Sequence, residues 1–280
     1  MVYRWRCRHC DFSAWGQRRE QVANRVKQHL VEHNRHNISD GGMQLQWSCP
    51  YCERTEQSTD GSRALNSYKE HLFEHVEALM ESGVHVAEDF GYVGSAMVAA
   101  PLEGTGADNA RIHFLSPGDI IVLVTTNAVR RIQLLQQELS ELPAWIVVVT
   151  TNDQPLKAMP KEELSSLPIE VVQLDKQLGL SGLGETISRV LSEQEKMDGR
   201  ISCGFDILPD LVETFDLQKV FQFLHILTNR LEDANALSHF YIDPSSGYEG
   251  SANVLEEMFD LRIDATENTF VSGPQAPSGN

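Results

Sequence analysis

With 280 residues the chain has room for one large domain or two to three small ones, and a hydrophobic content of 41% is that of a protein with a real core. A net charge of -17 sets most of its surface against polyanions. No run approaches the roughly 18 consecutive apolar residues of a membrane span, and the opening MVYRWRCRHC has no apolar signal region, so a cytoplasmic protein without a membrane partner is expected.

The first elements in the chain are two matched sets of metal-ligand residues. Cys7 and Cys10 are followed by His29 and His33; Cys49 and Cys52 are followed by His71 and His75. Each set reads C-x2-C, eighteen intervening residues, then H-x3-H, and the pattern recurs with an offset of 42 residues. Four of the five cysteines fall in these pairs, which a chance arrangement would rarely give. Two thiolates and two imidazoles suit tetrahedral zinc. A C-x2-C knuckle turns both sulfurs toward one point, and His residues at i and i+4 project from one helix face. Two zinc fingers, each holding one Zn2+, are therefore expected over 1–40 and 43–82. In a chain without a secretory signal, such pairs point to metal in a reducing cytosol rather than to disulfides. The eighteen-residue loop is longer than the roughly twelve of the common finger.

In the first finger, Tyr3-Arg4-Trp5-Arg6 reads as a strand entering the knuckle, and Val22, Val26 and Leu30 mark an amphipathic helix from about Arg18 to His33. His9 and His36 are spare histidines beside the ligands. Residues 1–36 carry eight Lys/Arg against three acids, a net of +5. Arg4, Arg6, Arg8, Arg18, Arg19, Arg25 and Lys27 are the candidate phosphate contacts. Arg18, Arg19 and Gln21 stand where a finger places base-reading residues. In the second finger Leu45-Gln46-Trp47 enters the knuckle. Ser62 caps a helix from about Arg63 to Glu81, striped by Leu65, Tyr68, Leu72, Val76 and Leu79. With three Lys/Arg against six acids over 43–80, this finger is acidic and is expected to pack against the first or to bind protein. Asp40 adds one negative charge, and residues 81–280 hold the balance of -18.

Residues 83–117 read as a linker or an added hairpin; Gly104-Thr105-Gly106 looks too short and poorly placed for a phosphate loop. From 118 to 272 strands and helices alternate. Strands are expected at Asp119–Thr125, Ala144–Thr151, Ile169–Leu174, Ile201–Ile207 and Leu237–Ile242, with helices at Ala128–Leu142, Leu183–Leu191 and Gln218–Asn235. A short helix at Val254–Phe259, an edge strand at Leu261–Asp264 and a further strand at Thr269–Val271 complete it. The alternation predicts an α/β fold, a doubly wound, mostly parallel sheet. The Pro/Gly/Ser-rich tail, 273–280, is expected to be disordered.

Doubly wound sheets bind ligands at the carboxyl ends of their strands. After the strand starting at Asp119 the chain reads Thr125-Thr126-Asn127-Ala128-Val129-Arg130-Arg131, with no glycine to wrap a phosphate and no lysine at the required place. Thr125, Thr126 and Arg130 could meet an anion there, but a strand end with a helix cap is the favoured reading. Asp206 closes the strand ISCGFD, Cys203 reads as a buried small residue, and His225 and His239 as structural.

The stretches GDIIVLVTTNAVRRIQLLQQELSELPAWIVVVTT, VVQLDKQLGLSGLGETISRVL and ISCGFDILPDLVETFDLQKVFQFLHILTNRLEDANALSHFYIDP carry a resemblance. Over about Ala110–Ala265 the chain resembles a degenerate RecA/KaiC-like ATPase domain of the kind common in halophilic archaea. The N-terminal repeats are similar to C2H2 zinc fingers with a longer loop. The resemblance implies a RecA-like sheet in which Asp206 matches the Walker B acid and the Walker A loop is missing, so no catalytic residue is assigned. It also gives a reason for the acidity. The leading expectation is a non-enzymatic zinc-finger regulatory protein, acting in transcription, that binds nucleic acid (DNA before RNA) through the first finger and uses the RecA-like domain for protein contacts or sensing. The alternatives are a protein-interaction scaffold with structural fingers and an atypical ATPase.

Overall fold

The computed structural model describes residues 2–40, 42 and 44–273, which fall into two compact units, Met1–Val84 with Asn268–Asn280, and His85–Glu267. The predicted disordered tail lies, from residue 274 onward, outside the described residues.

The first unit is built from two ββα modules. The first comprises β1 (Tyr3–Arg6), β2 (Ser13–Gly16) and α1 (Arg19–His33). A 3-10 turn at Arg35–Asn37 and β3 (Ile38–Asp40) lead to the second, β4 (Leu45–Ser48), β5 (Thr55–Ser58) and α2 (Gly61–Ala78), after which comes β6 (Glu81–Ser82). The 42-residue offset recurs in the backbone: Cys7 N–H donates to the Phe12 carbonyl and Cys49 N–H to the Arg54 carbonyl, both at 2.9 Å. Trp5 and Trp47, each two residues before a knuckle cysteine, are fully buried. Asp60, rather than the expected Ser62, caps α2, accepting from the N–H groups of Ser62 and Arg63. Val76 of α2 joins Trp5, Val22, Val26 and Leu30 in one apolar core, and the Tyr68 hydroxyl donates to the Asn34 carbonyl at 3.1 Å. The second module thus packs on the first.

The second unit contains α3 (Val86–Asp89), β7 (Gly94–Ala99), α4 (Thr105–His113), β8 (Ile120–Val124), α5 (Ala128–Glu138), β9 (Trp145–Thr150), α6 (Lys161–Leu164) and β10 (Ile169–Gln173). It continues with α7 (Leu180–Gln194), β11 (Ile201–Phe205), α8 (Leu208–Thr214), α9 (Leu217–Asp233), β12 (Leu237–Ile242), α10 (Glu249–Leu255) and β13 (Leu261–Ala265). Its strands are ordered β10-β9-β8-β11-β12-β7-β13, and every pairing is parallel. A parallel sheet must be covered on both faces, and the strands supply apolar side chains to each. Val122, Val124, Val147 and Val149 pack under α7 and α9. Ile121, Leu123, Ile146 and Val148 pack under α5. This is the mixed α/β architecture expected from the alternation.

Three expectations need correcting. Residues 83–117 are not a linker or hairpin: they hold β7, which lies between β12 and β13, and α4. Ser95, Ala96 and Ala99 give β7 too little apolar bulk to read as a strand. The parallel sheet therefore starts well before 118. The segment at Thr269–Val271 becomes β14 (Thr269–Ser272), but it pairs antiparallel with β2 in the first unit, Phe270 opposite Trp15. The first unit's sheet runs β14-β2-β1-β6, so a fragment ending at residue 82 lacks one of its strands.

Candidate metal centres and the closed end of the parallel sheet

In the second ββα module the knuckle between β4 and β5 delivers Cys49 and Cys52, and α2 delivers His71 and His75. Their four ligand atoms lie within 4.8 Å of one another. Cys52 Sγ is 3.2 Å from His71 Nε2, Cys49 Sγ is 3.3 Å from His75 Nε2, and the two imidazole Nε2 atoms are 3.4 Å apart. A tetrahedron with Zn–S near 2.3 Å and Zn–N near 2.0–2.1 Å has edges of about 3.3–3.8 Å, so the donor set fits a zinc ion. The Tyr51 N–H donates to Cys49 Sγ at 3.4 Å. With Nε2 facing the metal, His71 Nδ1 carries the proton and donates to Glu74 Oε2 at 3.2 Å, the carboxylate–histidine arrangement that fixes the ring. Arg54 lies 3.3 Å from the same Nδ1. Two donors cannot bond each other, so Glu74 is the partner.

In the first module Cys7, Cys10 and His29 converge in the same way, with Cys10 Sγ 3.6 Å from His29 Nε2. The predicted fourth ligand, His33, is not in this group. Its ring lies one turn along α1, 5.0 Å from that of His29. The corresponding pair in the second module has the same spacing, but the ring planes there are crossed at 84°, against 28° for His29 and His33. Ring orientation, not helix position, separates the two sets. His29 is supported differently as well: Phe12 stacks on it at 3.8 Å and 4°, at the place where the second repeat has Arg54. Burial lowers the pKa of His29 to about 4, with help from His33, and lowers that of His75. Burial raises the Cys10 and Cys49 thiols. His29 and His75 are therefore neutral at pH 7 and ready to coordinate, whereas Cys10 and Cys49 release protons when metal binds. His9 and His36 are exposed.

Several basic residues of the first module are engaged by neighbours within the unit. Arg4 is half-buried and pairs with Glu81 at 2.7 Å. Arg19 pairs with Glu77 at 2.9 Å and also donates to the Glu77 carbonyl. Lys27 sits 5.1 Å from the centroid of the Phe73 ring, and Gln21 donates to Asn268 Oδ1 at 2.9 Å. Arg25 is half-buried; Arg6, Arg8 and Arg18 are exposed.

In the parallel sheet the chain runs outward from β8 through β9 to β10 and then crosses back to β11 on the other side of β8, so the topological switch lies between β8 and β11. There Asp206, just past β11, is the centre of a buried ion cluster. Its Oδ1 accepts from Arg111 Nε at 3.2 Å and Nη2 at 2.8 Å; its Oδ2 accepts from Arg131 Nε at 2.5 Å and Thr125 Oγ1 at 2.9 Å. Asp108 accepts from Arg111, Arg131 and Arg130 at 2.9, 3.1 and 2.6 Å. Glu103 pairs with Arg130 at 2.9 Å. Three guanidiniums thus face three carboxylates. Burial alone would raise the Asp206 pKa, but Arg111 and Arg131 outweigh it and hold the group below the ordinary carboxylate range. The cavity lined by Arg111, Arg131, Asp206, His239 and Tyr241 measures ≈ 20 Å³, room for one water.

The phosphate-loop position in this sheet follows β7, not the strand starting at Asp119. The first strand of the parallel sheet is β7, and the connection from β7 to α4 is Ala100-Pro101-Leu102-Glu103-Gly104. Gly104-Thr105-Gly106 is therefore in the strand-to-helix position after all. Its chemistry is inverted: in the phosphate-loop pattern the lysine and Ser/Thr follow the second glycine, and here Ala107 and Asp108 stand in those places. A Cβ on Gly106 would lie 2.6 Å from the Thr266 carbonyl oxygen, so this glycine serves backbone packing. Thr125 and Arg130, the candidate anion contacts, are engaged by Asp206, Asp108 and Glu103. His239 is structural, buried, and stacked on Phe114 at 4.7 Å. Cys203 is fully buried, and burial raises its thiol pKa. Sequence reasoning missed Asp108, Arg111, Glu74 and Tyr51; the i,i+3 pair of Asp108 and Arg111 was the available signal.

No match is found among curated proteins. Among solved structures, a protein from Pyrococcus horikoshii OT3 is similar at 10% identity and a TM-score of 0.42, covering 64% of this chain and 87% of that one. That likeness is too low to bear on fold or function. A family model matches residues 94–265, from the first residue of β7 to the last of β13, and leaves both metal-ligand sets outside. Since the match spans more than half of the chain, the protein belongs to the family of unknown function DUF7504.

Proposed function

We propose that this protein is a non-enzymatic zinc protein that works as a protein-interaction scaffold. The observation that carries the reading is how the first module's cations are engaged. Arg4 and Arg19 are ion-paired within the unit, Lys27 lies on Phe73, and Gln21, a base-reading position, is bonded to Asn268. Two Zn2+ ions, held by the Cys49 set and by Cys7, Cys10, His29 and a reoriented His33, would lock the modules into one rigid unit; metal-bound thiolates and imidazoles do structural work there. The α/β unit supports the same reading from the other side. The three guanidiniums of its arginine cluster are already paired with its own carboxylates, which argues against their holding a nucleotide phosphate. The position of Asp206 after β11, with Gly104 between β7 and α4 and Gly106 in the first turn of α4, agrees with the RecA/KaiC-like resemblance; Ala107 and Asp108 argue against its ATPase activity. Residues 81–280 carry -18, so a partner with a basic surface suits this end of the chain.

Nucleic-acid binding is the second reading, favoured by the exposed Arg6, Arg8 and Arg18. One experiment separates the two: zinc content of the full chain, together with its binding to mixed duplex DNA across a salt series. The scaffold reading expects two zinc ions and no salt-dependent binding. Salt-sensitive binding that disappears in an Arg6→Glu, Arg8→Glu, Arg18→Glu variant would make the protein a nucleic-acid regulator instead.

A further inference from the structure

The two metal-ligand sets touch through one side chain. Tyr51 belongs to the second knuckle: its N–H donates to Cys49 Sγ at 3.4 Å, and its ring packs against that of His75 with centroids 5.4 Å apart. Its hydroxyl reaches the other set, 3.9 Å from Cys7 Sγ. A metal-bound thiolate only accepts, so the phenol is the donor. The residue in the equivalent place of the first repeat is His9. Its N–H donates to Cys7 Sγ at 3.4 Å, and its ring meets Tyr51 edge-on at 5.4 Å. The repeat is therefore asymmetric at this position. Cys7 receives a hydrogen bond from each knuckle, while the contact in the opposite direction, from His9 to the second set, ends on the Tyr51 ring.

We propose that Tyr51 couples the two sites, so that metal at one raises the affinity of the other. Loading the second site fixes Cys49, Cys52 and His75, and with them both the backbone and the ring of Tyr51. A fixed Tyr51 presents its hydroxyl to the Cys7 sulfur, where a hydrogen bond disperses thiolate charge and orients the ligand. By linkage, metal at the first site favours the second by the same factor. The inference rests on the two-zinc reading above.

The test is titration of metal-free full-length protein with Co2+, followed through thiolate-to-cobalt charge transfer. The wild type is expected to bind two equivalents in one cooperative transition. Tyr51→Phe keeps the ring and removes the hydroxyl; it should split the transition in two and weaken the first site about 10-fold. A His75→Ala variant, in which the second site is disabled, should show the same weakening at the first site, with no further loss when Tyr51→Phe is added. Two independent steps in the wild type, or a Tyr51→Phe titration identical to it, would overturn the coupling and leave the two-zinc reading standing. Failure of the wild type to bind two equivalents would overturn both.

Discussion

The molecule buries polar side chains in two ways. In the first unit, thiols and imidazoles face one another: once the thiols have given up their protons, Cys49, Cys52, His71 and His75 present only lone pairs to their common point, with no internal positive group among them. At the end of the parallel sheet, guanidiniums face carboxylates, and Asp206 alone accepts four hydrogen bonds. Both arrangements are dense in titratable groups, and both would draw attention as a site. The distinction is whether the set is complete in itself. Ligands that share one polarity require an external cation; donors matched to acceptors require nothing. By that measure the ligand sets of the first unit are suited to metal ions, and the Arg/Asp cluster is a keystone of mutually paired charges.

Metal removal is the largest expected break in the comparison. Structural zinc contributes about 10–16 kcal/mol of binding free energy in finger peptides, so a strong chelator should unfold the first unit. Trp5, Trp15 and Trp47 all lie in it, and Trp145 alone lies in β9. Tryptophan fluorescence should therefore change strongly on chelation, while a separate cooperative melting transition survives for the α/β unit. A chelator that changes neither would show that the ligand set is self-sufficient too.

The keystone is tested from the opposite direction. Asp206→Ala leaves Arg111 and Arg131 buried without their shared carboxylate, and breaking a buried ion pair from one side costs about 3–5 kcal/mol. Urea unfolding should show that loss, and added Mg-ATP should not restore it. Recovery of stability with nucleotide would mean that the cluster is a phosphate site occupied by default.

Acidification sharpens the contrast by about half as much. Burial lowers the His239 pKa to about 3, helped by Arg111. Because the folded value lies below the ordinary 6.5, the unfolded chain takes up more protons between pH 6.5 and 3. Stability is then full above 6.5 and falls as pH drops through that window. Between pH 7 and pH 5 this one residue should cost about 2 kcal/mol. A His239→Gln variant should lose correspondingly less stability over the same interval, measured by urea midpoints on the α/β unit. Buried His113, also lowered to about 3 by burial, contributes a parallel loss that remains in the variant.

The ligand set was legible because spacing encodes it directly: a C-x2-C knuckle and an H-x3-H helix turn need no knowledge of distant contacts. The strands β8, β9 and β11 were legible for a similar reason, since strands buried on both faces read as unbroken apolar runs. β7 was not. Its residues are small, and only the neighbouring β12 and β13 make it a central strand. Without β7 the expected phosphate-loop position shifts by one strand, away from Gly104, Gly106 and Asp108. β14 was visible as a strand but not as a partner of Trp15 and its neighbours, because pairing across more than 250 residues leaves no local trace. The His33 ring orientation is likewise a packing outcome that spacing cannot set.

The smallest predicted effect concerns the two ligand sets themselves. His71 is held by a carboxylate, Glu74, whereas His29 is held by the stacked face of Phe12. A hydrogen-bonded carboxylate raises the basicity of its imidazole and fixes the tautomer that leaves Nε2 free for metal; an aromatic face does only the orienting. Glu74→Ala should therefore weaken metal at the second site, and its high exposure places the loss at the lower end, about 10-fold. Phe12→Leu should lower the stability of the first module while changing metal affinity less. Chelator competition on the two variants, read beside their melting curves, gives the answer. If Phe12→Leu proved the more damaging to affinity, ring stacking rather than the carboxylate would be what makes these histidines ligands. The two repeats would then be equivalent in chemistry as well as in spacing.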